Sequence, residues 1–136
     1  MTKKLLLLLT VLFPVFLFAQ SPFSDCDRVF TSVEHLPSLK ISDEAFEDTL
    51  ATVLTSKKFS LKDNDITCKF VVTDKSKIDD LTLVSGSTGK EKVLRETILN
   101  FASFWKPAMQ NGNEVCSYVL LELIFSGNKI KIEIKQ

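Results

Sequence analysis

The sequence predicts an α+β domain, an antiparallel sheet of three to four strands covered on one face by helices in the order α-β-β-α-β-β. Three observations carry this expectation. Two segments repeat apolar residues at helical spacing, four others follow strand spacing, and turn residues separate neighbouring segments.

The first helix is expected over SDEAFEDTLATVLTSKKF. Ser42 suits the N-cap, Asp43 and Glu44 the first turn, and Lys57 and Lys58 the last, so charges oppose the helix dipole at both ends. Phe46, Leu50, Val53 and Leu54 form one apolar stripe. DITCKFVVTD then alternates, with Ile66, Cys68, Phe70 and Val72 on one face and Thr67, Lys69 and Val71 on the other. DKSK turns the chain, and IDDLTLVS returns as the second strand of a hairpin.

The second helix is expected over STGKEKVLRETILNFASFW. Thr88 and Glu91 have capping-box spacing, and Leu94, Ile98, Phe101 and Trp105 share a stripe. Pro107 lacks an amide hydrogen and disfavours helical geometry at Lys106, so the helix should stop there, with Trp105 closing its last turn over the sheet. Asn111-Gly112 tolerates the positive φ needed to re-enter the sheet. In EVCSYVLLELIF, Val115, Ser117, Val119, Leu121, Leu123 and Phe125 point one way, and Cys116, Tyr118, Leu120, Glu122 and Ile124 the other. After SGN, KIKIEIK alternates as a short fourth strand: Ile130, Ile132 and Ile134 face one side, and Lys131, Glu133 and Lys135 the other.

Residues 1–19 have the layout of a secretory signal peptide. Lys3 and Lys4 precede an apolar run from Leu5 to Phe18, and the small Ala19 precedes Gln20, the expected cleavage point. The rival reading is an uncleaved anchor, although the run is shorter than the about 20 residues a spanning helix needs and contains Pro14. Residues 20–40 read as an extended, partly mobile lead-in, and 41–136 as the domain. The formal charge of zero becomes about two negative charges once Lys3 and Lys4 are set aside, which argues against a nucleic-acid partner.

Export permits disulfides, and three cysteines allow one bond. Cys68 and Cys116 fall on opposite faces of the sheet, so they cannot pair. The better pair is Cys26 with Cys116; the other reading has no disulfide. Cys116, Tyr118, Leu120 and Ile124, with Val71, make the outer face more apolar than a solvated surface. Either the N-terminal segment (Phe23, Val29, Phe30) covers it, or a partner does.

From FVVTDKSKIDDLTLVSG, FWKPAMQNGNEV and SYVLLELIF, the chain resembles the C-terminal domain of TonB-like proteins over roughly residues 33–125. Trp-x-Pro-Ala followed by Asn-Gly and a valine-led strand is the most specific piece. Ser76 stands where the family's hairpin turn usually has glycine, and the Tyr-Pro pair often seen before the first strand is missing. The resemblance implies a periplasmic protein-binding module, without enzymatic activity or cofactor, associated with outer-membrane transport. Its expected partner is an outer-membrane receptor or another envelope protein, with no small-molecule substrate. Such domains capture an extended peptide at the open edge of the third strand. Energy transduction also requires a retained transmembrane helix and a long Pro-rich segment, and neither is evident here.

Residues 129–135 would occupy that edge if they fold back on the third strand, and their charges would discourage further pairing. The alternatives are a self-protected edge, which makes the chain a structural or adaptor component of an envelope assembly, and a tail that a partner displaces. The candidate interaction residues are therefore Tyr118, Leu120, Glu122 and Ile124 on the face, and Ile130, Ile132 and Ile134 at the edge. Catalysis and metal binding find little footing. His35, the one histidine, sits in the irregular lead-in, GSTGKE lacks phosphate-loop spacing, and the cysteines show no C-x-x-C.

Overall fold

The computed structural model describes residues 26–60, 65–86 and 89–136. The expected signal peptide, its Ala19–Gln20 junction, Phe23 and the Thr88 cap lie outside the described residues. The elements run β1 (Val29–Phe30), β2 (Ser38–Leu39), α1 (Asp43–Ser56), β3 (Ile66–Val72), β4 (Ile78–Ser85) and α2 (Glu91–Asn100). A 3-10 turn (Ala102–Phe104) follows, then β5 (Trp105–Lys106), β6 (Ala108–Gln110), β7 (Asn113–Ser126) and β8 (Lys129–Lys135). The class is α+β.

Ser42 caps α1, its hydroxyl accepting the Ala45 amide proton at 3.1 Å, and Phe46, Leu50 and Leu54 are buried. Lys57 and Lys58 fall just beyond the last turn instead of within it. There Lys58 takes a positive φ of 58°, and the amide of Phe59 donates back to the Leu54 carbonyl at 2.9 Å. That closure leaves Phe59 buried beside Leu54, the apolar contact that accompanies this kind of helix end.

The long strand β7 is the hub of the sheet. It pairs antiparallel with β3, β6 and β8, and parallel with β1. The β3–β4 hairpin turns through Thr73, which is fully buried and whose hydroxyl accepts the amides of Lys75 and Lys77. Ser76 in that turn has φ 60°, a left-handed conformation that costs a residue with a Cβ about 1 to 2 kcal/mol. Glycine relieves that strain but loses more chain entropy on folding. Ser76→Gly is therefore expected to raise stability by roughly 0.5 kcal/mol in urea denaturation.

Asn111 and Gly112 join β6 to β7 with φ values of 52° and 77°, the left-handed pair of a tight hairpin. Asp80 also has positive φ (53°), at an irregularity where β4 slips against β3 between Lys69 and Val71.

The second helix departs from its sequence reading at both ends. It starts at Glu91, with Lys90 in the cap position and no side-chain cap. It stops at Asn100, so neither Trp105 nor Pro107 belongs to its end. The chain tightens through the 3-10 turn, and Trp105 is already extended. Pairing wins over helical spacing here. Leu39 and Ser38 align with Trp105 and Lys106, and the Lys40 amide donates to the Phe104 carbonyl at 2.7 Å. Pro107 acts differently from expected. It holds Lys106 extended and sits between β5 and β6, where a missing amide hydrogen is harmless.

Trp105 is fully buried nonetheless, edge-to-face with Phe70 (5.4 Å between centroids) and Phe46 (6.1 Å). Phe101 and Phe104 complete this aromatic group around Phe46, at 5.7 Å and 6.4 Å. The rest of the core lies between the two helices and the inner face of the sheet. It includes Leu94 and Ile98 from α2, Ile66 and Cys68 from β3, and Leu121 and Leu123 from β7.

The lead-in also differs from expectation, since its described part is stitched into the fold by β1 and β2. His35 and Met109 exchange backbone hydrogen bonds at 3.2 Å and 3.0 Å.

Candidate interaction face

Two pairings define the edge of β7 opposite β3. Ser117 pairs with both Phe30 and Val72, so β1 and β3 lie on opposite sides of it. Residues Leu120 to Leu123 pair with both β3 and β8, so β8 shares the edge with β1. Only Tyr118 and Val119 lie between the end of β1 and the end of β8 on that edge. Gln136 fills the interval with its side chain, whose amide nitrogen donates to the Ser117 hydroxyl at 2.9 Å while its oxygen accepts the Val33 amide at 3.3 Å. Most of this edge of β7 is thus occupied by the chain's own backbone.

Cys26 and Cys116 are joined by a disulfide, 90 residues apart in sequence. It fastens the lead-in beside β1, and the Asp74 amide donates to the Cys116 sulfur at 3.4 Å. Cys68 is free and buried on the opposite, inner face. Burial pushes its thiol up to about 12, against a smaller opposing effect of the Arg95 charge. A thiol so protonated is inert, so Cys68 is a packing residue. The stability from its neutral burial is complete below its ordinary value of 9.0 and falls as pH rises toward about 12.

The side chains of Ile130, Ile132 and Ile134 belong to the core, not to an exposed edge surface, although β8 itself pairs with β7 alone. They align with Phe125, Leu123 and Leu121, and α1 packs against β8, so Ile130 is buried and the other two are half-buried on the core side. Their period-2 spacing puts them on one face, but it does not say which face that is or what covers it.

Tyr118, Leu120, Glu122 and Ile124 line the outer face of β7, all half-buried. Glu122 lies directly opposite Glu133, a like-charge pair relieved by Lys135, whose ammonium contacts the two carboxylates at 2.9 Å and 3.4 Å. The hydrogen bonds that Lys135 donates to Glu122 and then to Glu133 raise its affinity for its proton.

Beside this closed charge group, Lys69 extends over the Tyr118 ring, 4.6 Å from its centroid. Among the described residues no carboxylate reaches Lys69. Lys69, Tyr118 and Leu120, with Val84, Thr31 and Gln136, line a shallow depression of about 330 Å³. Val84 is 58% exposed, the most exposed large hydrophobic residue described. Val29 and Phe30 flank β7 edge to edge, so the described lead-in leaves this depression open. Sequence reasoning did not single out Lys69 or Val84. Alternation places Lys69 on the outer face, but only the β3–β7 register sets it beside Tyr118, and the slip in β4 breaks the period that would have placed Val84.

Among the described residues, no group of three or more His, Cys, Asp or Glu side chains is placed to hold a metal ion, and no helix is long and apolar enough to cross a membrane. Comparison with protein-family models, curated proteins and solved structures finds no match to this chain.

Proposed function

We infer that this chain is an exported, non-enzymatic protein-binding domain of the TonB C-terminal type, an adaptor in the bacterial envelope that meets its partner through the outer face of its sheet. The observation that carries the reading is the closed edge of β7. With β1 and β8 along it, strand capture finds little unpaired backbone on β7 to use, while Tyr118, Leu120 and Val84 leave apolar surface on the face. The signal-peptide pattern of residues 1–19 supports export, and the disulfide suits an oxidising compartment. Partners among outer-membrane receptors and other envelope proteins fit this address.

The competing mode is displacement of β8 by a partner strand. A cross-strand disulfide between the opposed positions, Glu122→Cys with Glu133→Cys, would lock β8 in place. A photo-crosslinking residue at Leu120 is expected to trap an envelope protein in the native host equally well in the locked and unlocked forms. The same group at Thr52, on the exposed side of α1, should trap nothing. Loss of the adduct on locking would return the function to strand capture, and no adduct from Leu120 would remove the face as the site.

A further inference from the structure

We propose that the depression between Lys69, Tyr118, Leu120 and Val84 receives an apolar side chain flanked by a carboxylate, supplied by an extended segment of a protein partner. The proposal rests on the sheet-face reading and adds the chemistry of the partner. The apolar requirement comes from the floor, because Tyr118 and Leu120 are half-buried and Val84 is exposed, and together they define a concavity of about 330 Å³. That is the lower end of the size range of binding pockets, room for one aromatic or branched side chain and not for a long lipid tail.

The acidic requirement comes from a contrast between two lysines on the same face. Lys135 is satisfied by Glu122 and Glu133. Lys69 has only the Tyr118 ring as a counter-group among the described residues. An aromatic ring leaves most of an ammonium's hydrogen-bonding capacity unused. A carboxylate arriving beside a buried apolar group would meet Lys69 at the rim, where complementary charge sets selectivity and association rate. A basic segment would instead bring like charge against it.

The test uses the exported protein labelled with nitrogen-15 and three short capped peptides, Gly-Asp-Phe-Asp-Gly, Gly-Lys-Phe-Lys-Gly and Gly-Asp-Gly-Asp-Gly, with sodium dodecanoate below its micelle concentration as a lipid probe. The acidic phenylalanine peptide is expected to shift the amide resonances of Lys69, Val84, Tyr118 and Leu120 saturably. It should bind at least fivefold tighter than either other peptide. Lys69→Met should remove that preference over the basic peptide while leaving the spectrum of the free protein otherwise intact, and Leu120→Asp should abolish binding. Equal binding of the acidic and basic peptides would overturn the charge assignment and leave the face itself standing. No shift with any probe would overturn the face as well, and tighter binding of dodecanoate at the same resonances would replace the peptide with an amphiphile.

Discussion

Trp105→Ala should lower the unfolding free energy by about 3 to 5 kcal/mol, the range for removing a large aromatic from a packed core. The indole is fully buried and contacts Phe46 and Phe70 edge-to-face, so truncation opens a void where helix and sheet meet. One feature tempers the loss. The indole Nε1 is buried without a hydrogen-bond partner, a situation that costs about 1 to 3 kcal/mol. Trp105→Phe removes that orphan donor with part of the volume, and it should cost clearly less than the alanine, about 1 to 2 kcal/mol. Urea denaturation followed by circular dichroism checks both. Equal losses for the two variants would mean that the phenyl ring recovers none of the lost packing at this site.

Replacing both Cys26 and Cys116 by serine should cost up to about 4 to 5 kcal/mol, because the bond closes a loop across a sequence separation of 90 residues and removes that freedom from the unfolded chain. The two-residue strand β1 and the Gln136 contacts are then left to hold the part of the lead-in before His35, and amide exchange at Val29 and Phe30 should rise well before exchange in β3. A loss below about 1 kcal/mol in urea denaturation would mean that the lead-in leaves the sheet ahead of global unfolding and that the cross-link restrains only a local opening.

The parts of this fold legible in the sequence are those whose burial is periodic and local. Phe46, Leu50 and Leu54 announce α1 because a helix repeats its buried face within a few residues, and Ile66, Cys68, Phe70 and Val72 announce the inner face of β3 for the corresponding reason in a strand. Trp105 was misplaced because its spacing from Leu94, Ile98 and Phe101 fits a helix equally well. Its extended conformation depends on Leu39, distant in sequence, and no local pattern reports such a pairing. The strands β1 and β2 are too short to show any period. The candidate site divides the same way. Tyr118 and Leu120 follow from alternation along β7, whereas Lys69 and Val84 join them only through register and a strand irregularity.

The central place of β7 also governs the order in which the chain can assemble. Among the described residues, a chain emerging N-terminus first holds the β3–β4 hairpin, the short β2–β5 pair and two helices until residues 113–126 arrive, and an isolated hairpin is marginal in water. Acquisition of the native state is therefore dominated by distant contacts and belongs to the slower topologies. During that wait Cys26 and Cys68 are the only thiols of the three yet synthesised. Where oxidation comes before Cys116 appears, the product open to these thiols is a mispaired bond between the two, and thiol exchange is then required to reach the Cys26–Cys116 bond.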